Sequence, residues 1–109
     1  MLTLVVSQGP DEVKGKRFAL GEGAAIIGRD VQADVSLPSQ AVSRRHARIV
    51  CVDGAYFLDD LGSTNGIFLN NQRVSSRTPL TENDELRLAN FVLKVLPPEA
   101  EQVVRDDTR

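Results

Sequence analysis

Apolar and polar residues alternate over short runs of this chain, and turn residues break the pattern every eight to twelve positions. That spacing predicts an all-β domain, a sandwich or a barrel. In 91–96 (FVLKVL), Phe91, Leu93 and Val95 share one face while Lys94 lies on the other, the period-two signature of a half-buried strand. Strands are likewise expected at 2–6, 17–20, 24–28, 34–37, 46–52, 55–60, 67–69, 72–74 and 85–88. Asp53-Gly54 joins 46–52 to 55–60 through two residues, the preferred sequence of a type I′ hairpin. Asn70-Asn71 plays the same part between 67–69 and 72–74, because Asn tolerates positive φ. No segment before residue 97 carries a long helical period; 81–86 (TENDEL) caps a single turn at most. No internal repeat is visible.

Composition narrows the class without naming a function. A length of 109 residues suits one domain, and 41% hydrophobic with 26% charged residues is ordinary for a soluble globular chain. No apolar run approaches the roughly 18 residues of a membrane span. The opening MLTLVV lacks a basic lead-in and reads as a first strand rather than a signal peptide. The single cysteine, Cys51, cannot form an internal disulfide, and its neighbours Val50 and Val52 make it an expected buried residue. A reducing compartment, most simply the cytoplasm, fits that count.

Charge changes the picture more. Asp and Glu total 15 against 13 Lys and Arg. The last thirteen residues (PPEAEQVVRDDTR) hold four acids and two arginines, so residues 1–96 are neutral with eleven charges of each sign (15 − 4 and 13 − 2). The expected organisation is a domain over 1–96 followed by a polar acidic tail or linker over 97–109, whose EAEQVVR could equally form a short helix. A neutral domain lacks the wide positive stripe of a nucleic-acid binder. Yet residues 41–50 (AVSRRHARIV) contain three arginines and no acid. A small, local anion suits such a cluster.

Candidate chemistry lies in the polar loops 29–33, 38–45 and 61–66, because binding residues concentrate in loops on a β scaffold. Gly28 lets a backbone or ligand approach closely, and Arg29 after it offers a planar fork of donors suited to phosphate. In Ser43-Arg44-Arg45-His46, the serine offers a hydroxyl and Arg44 adjacent charge, while His46 serves best as a buried imidazole fixing loop shape. Small polar residues between glycines in Leu61–Gly66 (LGSTNG) make a tight turn whose amides can point at one place. Each piece alone has a plain reading as surface charge or turn.

Taken in order, Gly28-Arg29, Asp34-Val35-Ser36-Leu37, Ser43 with His46, Asp60, Ser63-Thr64-Asn65-Gly66 and Asn70 resemble the forkhead-associated (FHA) domain. The resemblance runs from about Leu2 to Leu96. It implies a β-sandwich of about eleven strands that binds phosphothreonine peptides through loops at one end. Arg29 would then grip the phosphate, Ser43 would donate to it, and Arg44 would contact phosphate or nearby peptide. Thr64 would help at the phosphate edge and Asn65 would bond the peptide main chain. Gly28, His46 and Gly66 would keep the site's shape. Partners implied are phosphothreonine proteins, a Ser/Thr kinase or its substrate among them, with no cofactor, nucleic acid or membrane. Asn71 stands where the family often has glycine, and Arg44 occupies a position that varies. Residues after the phosphothreonine would be read by loops 38–42, 61–66 and 88–91. Thr78 and Thr108 are expected exposed threonines that a second copy could recognise once phosphorylated.

Rival readings have weaker sequence support. A hydrolase would need Ser43, His46 and Asp59 or Asp60 as a triad, but no nucleophile elbow is present. One His and one Cys are too few for the usual zinc sets, and no Gly-rich nucleotide loop occurs. A docking module indifferent to phosphate remains the alternative.

Overall fold

The computed structural model describes residues 2–97. In chain order the described strands are β1 (Leu2–Gln8), β2 (Arg17–Leu20), β3 (Gly23–Gly28), β4 (Val35–Ser36), β5 (Ala47–Val52) and β6 (Ala55–Asp60), then β7 (Phe68–Leu69), β8 (Gln72–Arg73), β9 (Thr78–Leu80), β10 (Glu85–Leu88) and β11 (Phe91–Leu96). They form two sheets, β2-β1-β11-β10-β7-β8 and β4-β3-β5-β6-β9, the sandwich that the alternation and the family resemblance imply. The expected tail falls, Pro97 excepted, outside the described residues, as does Thr108.

Alternation places one face of each sheet in a shared core. Leu4, Ile27, Ile49, Leu58, Leu86, Leu93 and Val95 are fully buried there, together with Phe91 and the loop residues Leu37 and Ile67. Removing each such side chain from water stabilises the fold by roughly 1.5–3 kcal/mol. Both expected hairpins close with positive φ at both central residues: 53° and 82° at Asp53 and Gly54, 51° and 71° at Asn70 and Asn71. Asn71 thus takes, at some steric cost, the conformation for which glycine is the easier choice.

Four details depart from the pattern. The strand β9 is absent from the sequence expectation because Pro79 interrupts it. Among the described residues β9 pairs only with β6 at the edge of its sheet, where a residue without an N–H is tolerated. Thr78 therefore sits in a strand opposite Leu58, half-buried, its hydroxyl donating to the Ser76 carbonyl at 2.8 Å. Val92 is buried although it faces away from Phe91 and Leu93. Cys51 is half-buried rather than enclosed; its cross-strand neighbour on β3 is Gly23, which has no side chain to cover it.

Register brings the polar loops to one end. Ile27 pairs with Ala47, and Ala47 pairs with Asp60, so the end of β3, the start of β5 and the end of β6 lie side by side. In the other sheet β10 runs antiparallel to β7, which puts the 88–91 turn at the same end as the loop that precedes β7.

Candidate functional site

Glycine at position 28 is a steric requirement. A Cβ there would stand 1.9 Å from the Arg44 carbonyl oxygen and 2.7 Å from its carbon. The close approach lets the backbone of 43–46 lie along the end of β3 and past it. Arg29 N–H donates to the Ser43 carbonyl (3.0 Å), Asp30 N–H to the Arg44 carbonyl (3.3 Å) and His46 N–H to the Ile27 carbonyl (2.8 Å). Gly28-Arg29 and the SRRH segment are therefore one piece of structure.

His46 is the centre of that piece. It has no exposed surface, and each ring nitrogen has a partner. Nδ1 accepts the Ser43 backbone N–H at 3.1 Å, so the ring proton resides on Nε2, which donates to the Gly66 carbonyl at 2.7 Å. One imidazole thereby ties the loop before β5 to the loop after β6. The Ser43 hydroxyl makes a second tie by accepting the Thr64 N–H at 3.1 Å, and its own hydrogen has no acceptor among the described residues. A third comes from Asn65, whose Nδ2 donates to the Ala41 carbonyl at 2.7 Å.

The turn 60–66 is locked from below by Asp60 and Ser63, motif residues that the sequence did not mark as supports of the site. Asp60 Oδ1 accepts the Ser63 N–H (2.8 Å) and Oδ2 accepts the Ser63 hydroxyl (3.1 Å), while Ser63 Oγ accepts the Gly66 N–H (3.0 Å). The signal was present as an Asp three residues before a Ser, a spacing that favours local side-chain to backbone bonds. Asn70 is a similar anchor: its amide donates to Asp84 and accepts the Glu85 N–H, both at 3.0 Å, fastening the β7–β8 turn to the start of β10.

Arg29, Arg44 and Arg45 at this end make no direct ion pair among the described residues. Arg29 is half-buried; its Nε donates to the Val42 carbonyl at 3.0 Å, and its terminal nitrogens have no partner among the described residues. They border an open groove lined by Arg29, Pro38, Ser39 and Gln40. Arg44 and Arg45 are exposed, and neither has a carboxylate partner among the described residues. Of the nearby acids, Asp59 pairs with Arg77 and Arg48, Asp60 accepts from Ser63, and Asp30 accepts the Gln32 N–H while lining a small cavity with Arg45. The Arg77 guanidinium, with Arg48 in support, holds the Asp59 carboxyl below the usual carboxylate range.

All the candidate residues thus converge: Arg29, Ser43, Arg44, Thr64 and Asn65 lie on loops that meet at one end, over Gly28, His46 and Gly66. The hydrolase triad does not form. His46 faces the Ser43 backbone rather than its hydroxyl, both ring nitrogens are occupied, and Asp59 and Asp60 spend their carboxylates on Arg48, Arg77 and Ser63 rather than on the imidazole. A second cavity, of about 190 Å³, lies between β2 and β3; Tyr56 on its wall donates to the Leu20 carbonyl and Asp34 accepts the Ile26 N–H, with Glu22 beside them.

Comparison with known proteins agrees with this geometry. The model of the FHA domain family matches residues 25–89, more than half of the chain. An oxoglutarate dehydrogenase inhibitor of Corynebacterium diphtheriae is 37% identical over 90 residues, covering 83% of this chain and 61% of that protein. The glycogen accumulation regulator GarA of Mycolicibacterium smegmatis is 37% identical over 93 residues, covering 85% of this chain and 57% of its own. The chain therefore spans about three fifths of the length of these relatives. Among solved structures, the FhaA FHA domain complexed with the intracellular domain of Rv3910 superposes with a TM-score of 0.77 at 37% identity, covering 87% of this chain and 99% of that one. A second, from work on phosphothreonine-dependent FHA domain interactions, gives 0.78 at 36%, covering 89% and 96%. The matched span contains all three loops and the imidazole that joins them, and the chain belongs to the forkhead-associated domain family.

Proposed function

We propose that this domain binds phosphothreonine-containing segments of a partner protein in Ser/Thr phosphorylation signalling. The observation that carries this reading is a set of arginines without carboxylate partners among the described residues, Arg29 and Arg44 above all, beside a serine hydroxyl whose hydrogen has no acceptor among them. A phosphate brings about −1.5 to −2 charges and three acceptor oxygens. Arginines that repel one another in the free domain become its shared partners. Two or three charge-assisted hydrogen bonds at about 1.5–3 kcal/mol each supply much of a micromolar affinity, about −8 kcal/mol.

In this reading Arg29 grips the phosphate through its terminal nitrogens, Ser43 donates its hydroxyl hydrogen, and Arg44 contacts phosphate or adjacent peptide. Thr64 lies at the phosphate edge. Asn65 has one amide hydrogen on Ala41 and keeps the rest of its amide for the peptide main chain. Gly28, His46 and Gly66 hold the loops in place. The partner is a Ser/Thr kinase or a kinase substrate, and the solved relatives, one complexed with the intracellular domain of another protein, favour such a role. The domain acts by binding, without chemistry of its own. No helix among the described residues is long and apolar enough to cross a membrane. Placement in the reducing cytoplasm fits the unpaired Cys51.

The test is a titration of a degenerate phosphothreonine peptide library, with phosphoserine and unmodified controls, against the domain and Arg29→Ala. Micromolar, phosphothreonine-selective binding that weakens at least about tenfold with Arg29→Ala is expected, the loss of one charge-assisted bond. Binding indifferent to phosphate would put a phosphate-independent docking module in its place.

A further inference from the structure

Behind the 61–66 loop, on the outer face of the first sheet, three side chains form a row across three strands. Arg87 of β10 pairs with Phe68 of β7, and Phe68 pairs with Arg73 of β8, so all three project from the same face. The Arg87 guanidinium stands over the Phe68 ring, 5.1 Å from its centroid. The Arg73 guanidinium turns toward the loop: a Cβ built on Gly66 would meet its central carbon at 3.0 Å. Both arginines are exposed, and neither has a carboxylate partner among the described residues. Glu85, two residues before Arg87 on the same face of β10, lies opposite Lys94 of β11.

We propose that this Arg87–Phe68–Arg73 row is a second recognition surface, which reads acidic residues flanking the phosphothreonine in the same partner. The proposal rests on the phosphothreonine reading and extends it. Continuity supplies the first reason: Phe68 lies two residues beyond Gly66, about 7 Å along the chain, so a peptide crossing Thr64 and Asn65 reaches the row in about two to four extended residues. Charge complementarity supplies the second, since two cations without a carboxylate partner among the described residues, on a domain of neutral net charge, suit an anionic segment. Spacing supplies the third: strands lie about 4.8 Å apart, so the backbones of the two arginines sit about 10 Å from each other, between the roughly 7 and 13 Å that separate carboxylates two and four residues apart on one face of an extended chain, a gap long arginine side chains span. Two guanidiniums form too narrow a patch for a nucleic-acid backbone, which favours a peptide.

The experiment compares three phosphothreonine peptides: one with neutral flanks, one with Asp at the second to sixth positions after the phosphothreonine, and one with Asp at the same positions before it. Each is titrated against wild type, the Arg73→Gln/Arg87→Gln variant and the Arg73→Lys/Arg87→Lys variant. One acidic peptide is expected to bind wild type about three- to tenfold tighter than the neutral one, the combined effect of two exposed ion pairs. That advantage disappears in the Gln variant, survives in part in the Lys variant, and falls as salt is raised. Affinity for the neutral peptide stays unchanged throughout. Arg73→Gln alone, which breaks no bond among the described residues, covers the case in which the double variant folds poorly and should remove part of the advantage. An advantage retained in full by the Gln variants, or absent from both acidic peptides, would overturn the proposal. Failure of the neutral phosphopeptide to bind wild type would instead overturn the phosphothreonine reading, and this surface with it.

Discussion

His46 and Gly66, twenty positions apart, are joined by a 2.7 Å hydrogen bond in which the imidazole Nε2 donates to the glycine carbonyl. With Nδ1 accepting the Ser43 N–H, the ring spans the interior between two loops and fixes their separation. Replacement by alanine leaves a buried carbonyl and a backbone N–H without partners and opens a cavity. We expect His46→Ala to lower stability by about 3 kcal/mol in urea denaturation and to weaken phosphopeptide binding without any change in the groups that touch phosphate. His46→Phe fills the volume but satisfies neither partner; stability equal to wild type in that variant would mean the hydrogen bonds contribute nothing. Nitrogen NMR of the ring should show the proton on Nε2.

Gly28 and Arg44 make the tightest backbone approach at the site, with only 1.9 Å available between a would-be Cβ and the Arg44 carbonyl oxygen. Because that neighbour is backbone, the strain cannot be relieved by a rotamer change. Gly28→Ala should therefore destabilise the domain by on the order of 3 kcal/mol and displace the 43–46 segment. Gly62→Ala offers the contrast: nothing lies within 4 Å of its Cβ position, and only its φ of 79° opposes the change. Its cost should be about 1 kcal/mol. Thermal denaturation of the pair ranks them, and equal losses would contradict the close-approach account.

Asp59 bridges Arg77 and Arg48 through bonds of 2.8–3.1 Å, and the Arg77 hydrogen bond is the main reason its carboxyl stays ionised to lower pH than usual. A carboxylate depressed in the folded state adds stability above its unfolded value, about 3.9, and loses it as pH falls through the lower folded value. The stability difference between wild type and Asp59→Asn should thus be full at neutral pH and should shrink steadily below about pH 4. Denaturant midpoints across that range check it. A gap that stays constant with pH would show that the ion pair is not its source.

Much of the fold was legible because strand formation leaves a local record. Phe91, Leu93 and Val95 announce a buried face whatever they pack against, and Asp53-Gly54 announces a hairpin because few other pairs accept two positive φ angles. The strand at 78–80 was not legible: proline at 79 argues against a strand until one knows that this strand lies at a sheet edge. Cys51 misled for a similar reason, since its exposure depends on the side chain missing from Gly23 across the sheet. At the candidate site, the arginine, serine and turn residues stood out as residue types in order, while Asp60 and Ser63 gave no hint beyond their spacing that they hold the turn from within.

The sequence by itself determined the alternation of strands, the type of two hairpins, the order of the loop residues and the presence of more local positive charge than a neutral domain requires. These are properties of neighbours along the chain, set by side-chain direction, allowed φ and charge. Only the tertiary structure decided that His46 reaches Gly66, that Asn65 spends an amide hydrogen on Ala41, and that Arg73 and Arg87 flank Phe68. Those pairings depend on register between strands far apart in sequence, and register is chosen by how two sheets pack their buried faces together.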